Sequence, residues 1–105
     1  MKDNILYIGE KKRMQVTFQP MGELTADDYD YTIELYCTPA KKFVITKAEV
    51  IRESENVCRF ILDTSIVGGG ELKMKITALI PDEECEDGVR PDIFLTDTGY
   101  RIANC

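Results

Sequence analysis

The chain has 105 residues, with 19 acidic against 13 basic side chains and neither histidine nor tryptophan. That length suits one domain, and 44% hydrophobic with 30% charged residues suits a packed core rather than disorder. The missing histidine excludes Ser-His-Asp and Cys-His catalysis and histidine-bound zinc.

Net charge is −6 and the bases are scattered, Lys11-Lys12-Arg13 being the densest cluster. A nucleic-acid groove needs bases gathered on one face, so no nucleic-acid partner is expected. No apolar run approaches the ~20 residues that cross a bilayer, so no membrane partner is expected either. The apolar stretch Ile5–Ile8 is shorter than the roughly 7–15 residues of a signal-peptide core, which implies assembly in the cytoplasm. Without a secretion signal, Cys37, Cys58, Cys85 and Cys105 are expected as reduced, inert thiols.

In chain order, Asn4–Ile8 is a short extended start, and residues 1–9 read as an N-terminal arm that orders on assembly. Residues 10–105 read as the single domain. Lys12–Phe18 alternates, with Met14, Val16 and Phe18 on one face. Pro20–Asp28 carries proline, glycine and paired aspartates and reads as a loop. Tyr29–Thr38 alternates again, with Tyr29, Tyr31, Ile33, Leu35 and Cys37 on the apolar side.

Pro39-Ala40 breaks the pattern before Phe43–Thr46. The segment Thr46–Glu53 fits a helical turn or a strand, with β-branched neighbours favouring the strand. Ser54-Glu55-Asn56 turns into Val57–Leu62, and Asp63-Thr64-Ser65 makes a corner suited to side-chain-to-backbone bonds. Gly68-Gly69-Gly70 lacks the Lys-Ser/Thr of a phosphate loop and reads as a turn needing positive φ. It leads into the cleanest strand, with Leu72, Met74, Ile76, Ala78 and Ile80 inward and Lys73, Lys75 and Thr77 outward. Arg90–Thr96 is the last long strand, and Thr98-Gly99 a tight turn before Tyr100-Arg101-Ile102.

Seven to eight short strands separated by turn chemistry predict an all-β fold, an antiparallel immunoglobulin-like β-sandwich without the Cys–Trp–Cys core. Among candidate sites, the acidic turn Pro81–Gly88 offers Asp82, Glu84 and Asp87 as Ca²⁺ ligands, though its spacing does not match an EF-hand loop. A solvated hairpin turn explains it more simply. Arg90 is placed to pair with Asp82 or Asp87 across that hairpin. Asp27 and Asp28 read as solvated loop residues. Tyr36 sits opposite the apolar face of its strand and is the best exposed aromatic for an interface. Arg90, Ile5 and Tyr7 complete the interface candidates. No catalytic residue and no cofactor are expected.

The pattern Asp63-Thr64-Ser65, Gly70, the strand Leu72–Ile80, Pro81-Asp82, Asp87-Gly88, Arg90 and Thr98-Gly99-Tyr100-Arg101-Ile102 resembles the small immunoglobulin-like domains of tailed-phage and prophage structural proteins. The resemblance extends to the N-terminal domain of baseplate upper proteins and to accessory structural proteins of crAss-like phages. The resemblance implies a non-enzymatic virion protein, such as a capsid decoration, head-fibre or tail/baseplate adaptor. It implies docking onto other virion structural proteins, homo-oligomers within an assembly, and residence in the virion. The alternative is a small ligand-binding module with a Ca²⁺ or sugar site at residues 82–87.

Overall fold

Each run of period-two hydrophobicity becomes a strand. The computed structural model describes residues 4–20 and 22–104. It holds β1 (Ile5–Tyr7), β2 (Lys11–Thr17), β3 (Asp30–Thr38), β4 (Lys41–Thr46), β5 (Ile51–Ser54), β6 (Val57–Asp63), β7 (Gly70–Pro81) and β8 (Val89–Ala103). One helical turn, α1 (Thr64–Val67), links β6 to β7. The strands form a five-stranded sheet in the order β1-β8-β7-β3-β4 and a three-stranded sheet in the order β2-β6-β5. All pairings are antiparallel except β1 with β8, which is parallel. The fold is therefore all-β, with eight strands in two sheets.

The inward stripes of both sheets make one core. Met14, Val16 and Phe18 from β2 and its end, with Cys58, Phe60 and Leu62 from β6, meet Tyr31, Ile33 and Leu35 of β3 and Leu72, Ile76, Ala78 and Ile80 of β7. Phe43 of β4 stacks on Phe60 across the layers, with ring centroids 6.2 Å apart. Phe18 packs against Tyr29 and Tyr31, closing the end where β2 passes into the loop before β3.

Some expectations resolve and others change. The ambiguous stretch Thr46–Glu53 splits into a turn after β4, closed by Glu49 N–H to the Thr46 carbonyl (2.9 Å), and the short strand β5. Thr98-Gly99 is not a turn between two strands. It lies in a bulge within β8, where Thr98, Gly99 and Tyr100 stand opposite the single residue Leu72. Gly99 has φ 83°, its N–H bonds the Asp97 carboxylate (3.0 Å), and the Thr98 hydroxyl donates to the Leu72 carbonyl (2.8 Å). Two extra residues preserve the period of two, so Phe94 and Ile102 stay on the same face. Of the 1–9 arm, Asn4–Gly9 contains β1, whose Leu6 is buried in the core between exposed Ile5 and Tyr7. Residues 1–3 lie outside the described residues, as does Cys105.

Thr64 holds one end of the sandwich together. It is fully buried, and its hydroxyl receives the Gly9 N–H (3.0 Å) and donates to the Glu10 carbonyl (2.7 Å). Its own N–H also bonds the Glu10 carbonyl (3.1 Å). The crossing from β1 to β2 is thereby tied to the crossing from β6 to β7. Gly70, at φ +128°, begins β7 so close to Cys37 that an added Cβ would sit 3.3 Å from the Cys37 Cβ. Replacing Thr64 by valine keeps the shape but strands buried backbone groups. Urea unfolding of Thr64→Val is expected to show a loss of about 2–3 kcal/mol, and Thr64→Ser a much smaller one.

Candidate functional site

A three-stranded layer does not cover a five-stranded one. Phe94 lies opposite Ile76 on the inward face of β8, yet remains 45% exposed. The uncovered strip is an apolar groove of about 330 Å³ between β2 and β8, lined among others by Val16, Phe18, Tyr29, Met74, Ile76 and Phe94.

β2 forms the rim of this groove, and its outer edge pairs with nothing among the described residues. At its two ends, Thr64 N–H reaches the Glu10 carbonyl and Phe18 N–H reaches the Asn56 carbonyl. With the β2–β6 register continuous between them, the even positions of β2 bond to β6. The N–H and C=O groups of Lys11, Arg13, Gln15 and Thr17 therefore point to the open side. Lys11, Arg13 and Gln15 also carry exposed side chains on the outer surface, while Lys12 lies over the Tyr100 ring, 5.5 Å from its centroid.

A second apolar surface lies on the outer face of the five-stranded sheet. The registers align Val44, Glu34, Lys75 and Leu95 in one row across β4, β3, β7 and β8. Lys42, Tyr36, Lys73 and Asp97 form the row on one side, and Thr46, Thr32, Thr77 and Ile93 the row on the other. Leu95 is 68%, Ile93 56% and Val44 53% exposed. Tyr36 lies on this face, half-buried beneath Lys42 Nζ, which stands 5.7 Å from its ring centroid and 3.3 Å from Glu34. Sequence reasoning placed Tyr36 on this face, though as an exposed residue rather than a half-buried one, and did not single out Ile93 or Leu95. The signal was there: three successive apolar residues in a strand, Ile93-Phe94-Leu95, must place apolar groups on both faces.

The acidic turn does not gather ligands. Asp82 caps its own turn by accepting the Glu84 N–H (2.9 Å), and backbone bonds from Asp82 N–H to Gly88 and from Gly88 N–H to Cys85 close the loop. Arg90 lies 3.7 Å from Asp82 and 3.5 Å from Asp92, pinning the hairpin rather than reaching Asp87. Among the described residues no set of three or more acidic or cysteine side chains is gathered as a metal site would require. Ile5 and Tyr7 lie on β1, at the edge of the five-stranded sheet farthest from Tyr36.

A cleft of about 230 Å³ opens beside the loop before β3, lined by Asp27, Tyr31, Lys47, Arg52 and Cys58 among others. Asp27, Arg52 and Lys47 are engaged with one another and with nearby carbonyls. Arg52 grips Asp27 with two bonds of 2.8 and 2.7 Å, and Lys47 donates to the Asp27 and Tyr29 carbonyls (3.1 and 2.7 Å). Asp27 is thus clamped rather than a freely solvated loop residue, while Asp28 accepts the Thr25 N–H (2.8 Å). Burial raises the Cys58 and Cys37 thiols and the Tyr31 phenol above their ordinary ranges, which makes these groups poor nucleophiles at neutral pH. Cys37, Cys58 and Cys85 are free thiols.

Compared with known proteins, the chain matches no family model, no curated protein and no solved structure.

Among the described residues, three carboxyl groups sit below their ordinary range: Asp27 through Arg52, Glu49 through the Thr46 N–H, and Asp63 through Ser65. A depressed native pKa gives stability that is present above the unfolded value and lost as pH falls through the native one. Urea midpoints are therefore expected to fall between about pH 6 and about pH 3, and Asp27→Asn to shrink that fall relative to the parent.

Proposed function

We propose that the chain is a non-enzymatic structural protein of a tailed-phage virion, an immunoglobulin-like sandwich that docks by its β2 edge. The observation that carries the docking reading is the run of outward backbone groups at Lys11, Arg13, Gln15 and Thr17 beside an apolar groove. An extended segment of a neighbouring virion subunit laid along that edge extends the hydrogen-bond ladder. Its inward side chains fall over Val16, Phe18 and Phe94 and should be apolar. Its outward ones stand beside Lys11 and Arg13 and should be acidic.

Strand order supports the immunoglobulin-like part of the reading. Strands β2, β6 and β5 follow the B-E-D layer of a variable-type sandwich, and β8, β7, β3 and β4 follow its G-F-C-C′ layer. The phage assignment is supported by the turn chemistry it shares with phage domains, from Asp63-Thr64-Ser65 to Tyr100-Arg101-Ile102. In this reading the buried thiols are packing groups, and the acidic turn is a solvated cap.

Particles banded on a density gradient from a culture producing the chain test the proposal. The chain should co-band with the particles. Lys11→Glu/Arg13→Glu should reduce its occupancy by roughly tenfold, since reversing charges beside acidic partners costs affinity. Gln15→Pro, which removes one outward N–H at an edge where proline is tolerated, should reduce occupancy likewise. A chain found only in the soluble fraction would overturn the virion reading. Undiminished occupancy of both variants would overturn the β2 edge as the docking site.

A further inference from the structure

We infer that the outer face of the five-stranded sheet is a two-fold interface between two copies of this chain. This surface is separate from the β2 edge, and its partner is a second copy rather than another subunit.

The three rows of the outer face meet their own image in complementary fashion. In a face-to-face pair with the two-fold axis running along the strands between β3 and β7, β3 lies over β7 of the second copy and β4 over β8. Glu34 then meets Lys75 of the second copy, and Tyr36 meets Lys73. Val44 meets Leu95, Lys42 meets Asp97, and Thr46 meets Ile93, following the β4–β3–β7–β8 registers. Each contact occurs twice, as an isologous interface requires. Opposite charges face each other, a lysine faces an aromatic ring, and exposed Val44 covers exposed Leu95.

Several other placements of the axis bring like charges together. An axis along β3 puts Glu34 over Glu34. One along β7 puts Lys75 over Lys75 and Lys73 over Lys73. An in-plane axis across the strands through the central row repeats both like-charge contacts. Moving that crossing axis between the central row and the Tyr36 row sets Lys75 over Lys73. Like charges face to face cost stability, whereas the axis between β3 and β7 places Glu34 over Lys75 and Lys42 over Asp97. Sheets that pack face to face lie within about 30° of one another, which keeps the central β3 and β7 columns in register.

Size sets the strength. Four strands at ~4.8 Å and three rows at ~6.8 Å project to roughly 400 Å² per copy. That is near half of the roughly 800 Å² per partner in a standard stable interface. The dimer is therefore concentration-dependent.

Sedimentation velocity of the purified full chain from about 1 to 300 μM tests this. The parent chain should pass from monomer to dimer across that range. Glu34→Lys and Lys75→Glu each create two like-charge contacts and should weaken dimerisation at least about tenfold. Combining them re-pairs the charges and should restore it to within about threefold of the parent. Leu95→Lys, at the most exposed aliphatic position, should abolish it while leaving the melting temperature unchanged, which guards against misfolding of the charge variants. A parent chain monomeric at the highest concentration overturns the inference. So does a dimer that ignores the single swaps, a double variant no better than either single, or a dimer lost in Lys11→Glu/Arg13→Glu. None of these outcomes depends on a particle, so the virion proposal and this one fail separately.

Discussion

Unequal width is the constraint from which the rest of this molecule follows. Five strands face three, and backbone hydrogen bonding fixes strand spacing at about 4.8 Å, so the narrow layer cannot stretch to cover the wide one. The uncovered strip falls along β8, whose Phe94 belongs by register to the core face and by position to solvent. The same mismatch leaves β2 at the margin, with half of its backbone groups unpaired among the described residues. Groove and edge are one feature seen from two sides.

The polar chemistry is spent on closing the ends. Thr64 stitches two chain crossings at one end through the Gly9 and Glu10 backbone. At the other, Arg52 of β5 grips Asp27 in the loop before β3, and Lys47 caps carbonyls of the same loop. Thr64 contributes more per bond, because its site is dry, whereas the Asp27–Arg52 pair is open to water and screened. Both ends are tied, and the long flank between β2 and β8 is left open. At the acidic hairpin tip, Asp82 and Arg90 are occupied with holding its shape.

Alternation made much of this fold legible. Met14, Val16 and Phe18, the odd positions of β3, and Leu72, Met74, Ile76, Ala78 and Ile80 of β7 were all assigned to the core from spacing alone, and all but the half-buried Cys37 and Met74 lie fully inside it. The Asp63-Thr64-Ser65 corner was recognised from residue type, although its reach across 55 residues to Gly9 was not. Long-range partners leave no local trace, and for the same reason the Arg52 clamp on Asp27 was invisible. Thr98-Gly99 misled because a glycine with positive φ serves a bulge as readily as a turn. The outer-face rows emerge only from strand register, which sets Glu34 beside Lys75 and Val44 level with Leu95.

Taken together, the molecule is a closed core with two unsatisfied sides, one of backbone and one of side chains. In the proposed reading both serve protein contact. The claim on which this depends is that β2 is an open edge, bonded on one side only. Amide hydrogen exchange of the isolated protein at low concentration reads it residue by residue. The account predicts alternation, with Lys12, Met14 and Val16 exchanging slowly and Lys11, Arg13, Gln15 and Thr17 exchanging fast. Uniform protection along all seven residues of β2 would mean that the edge is already paired, and would contradict it.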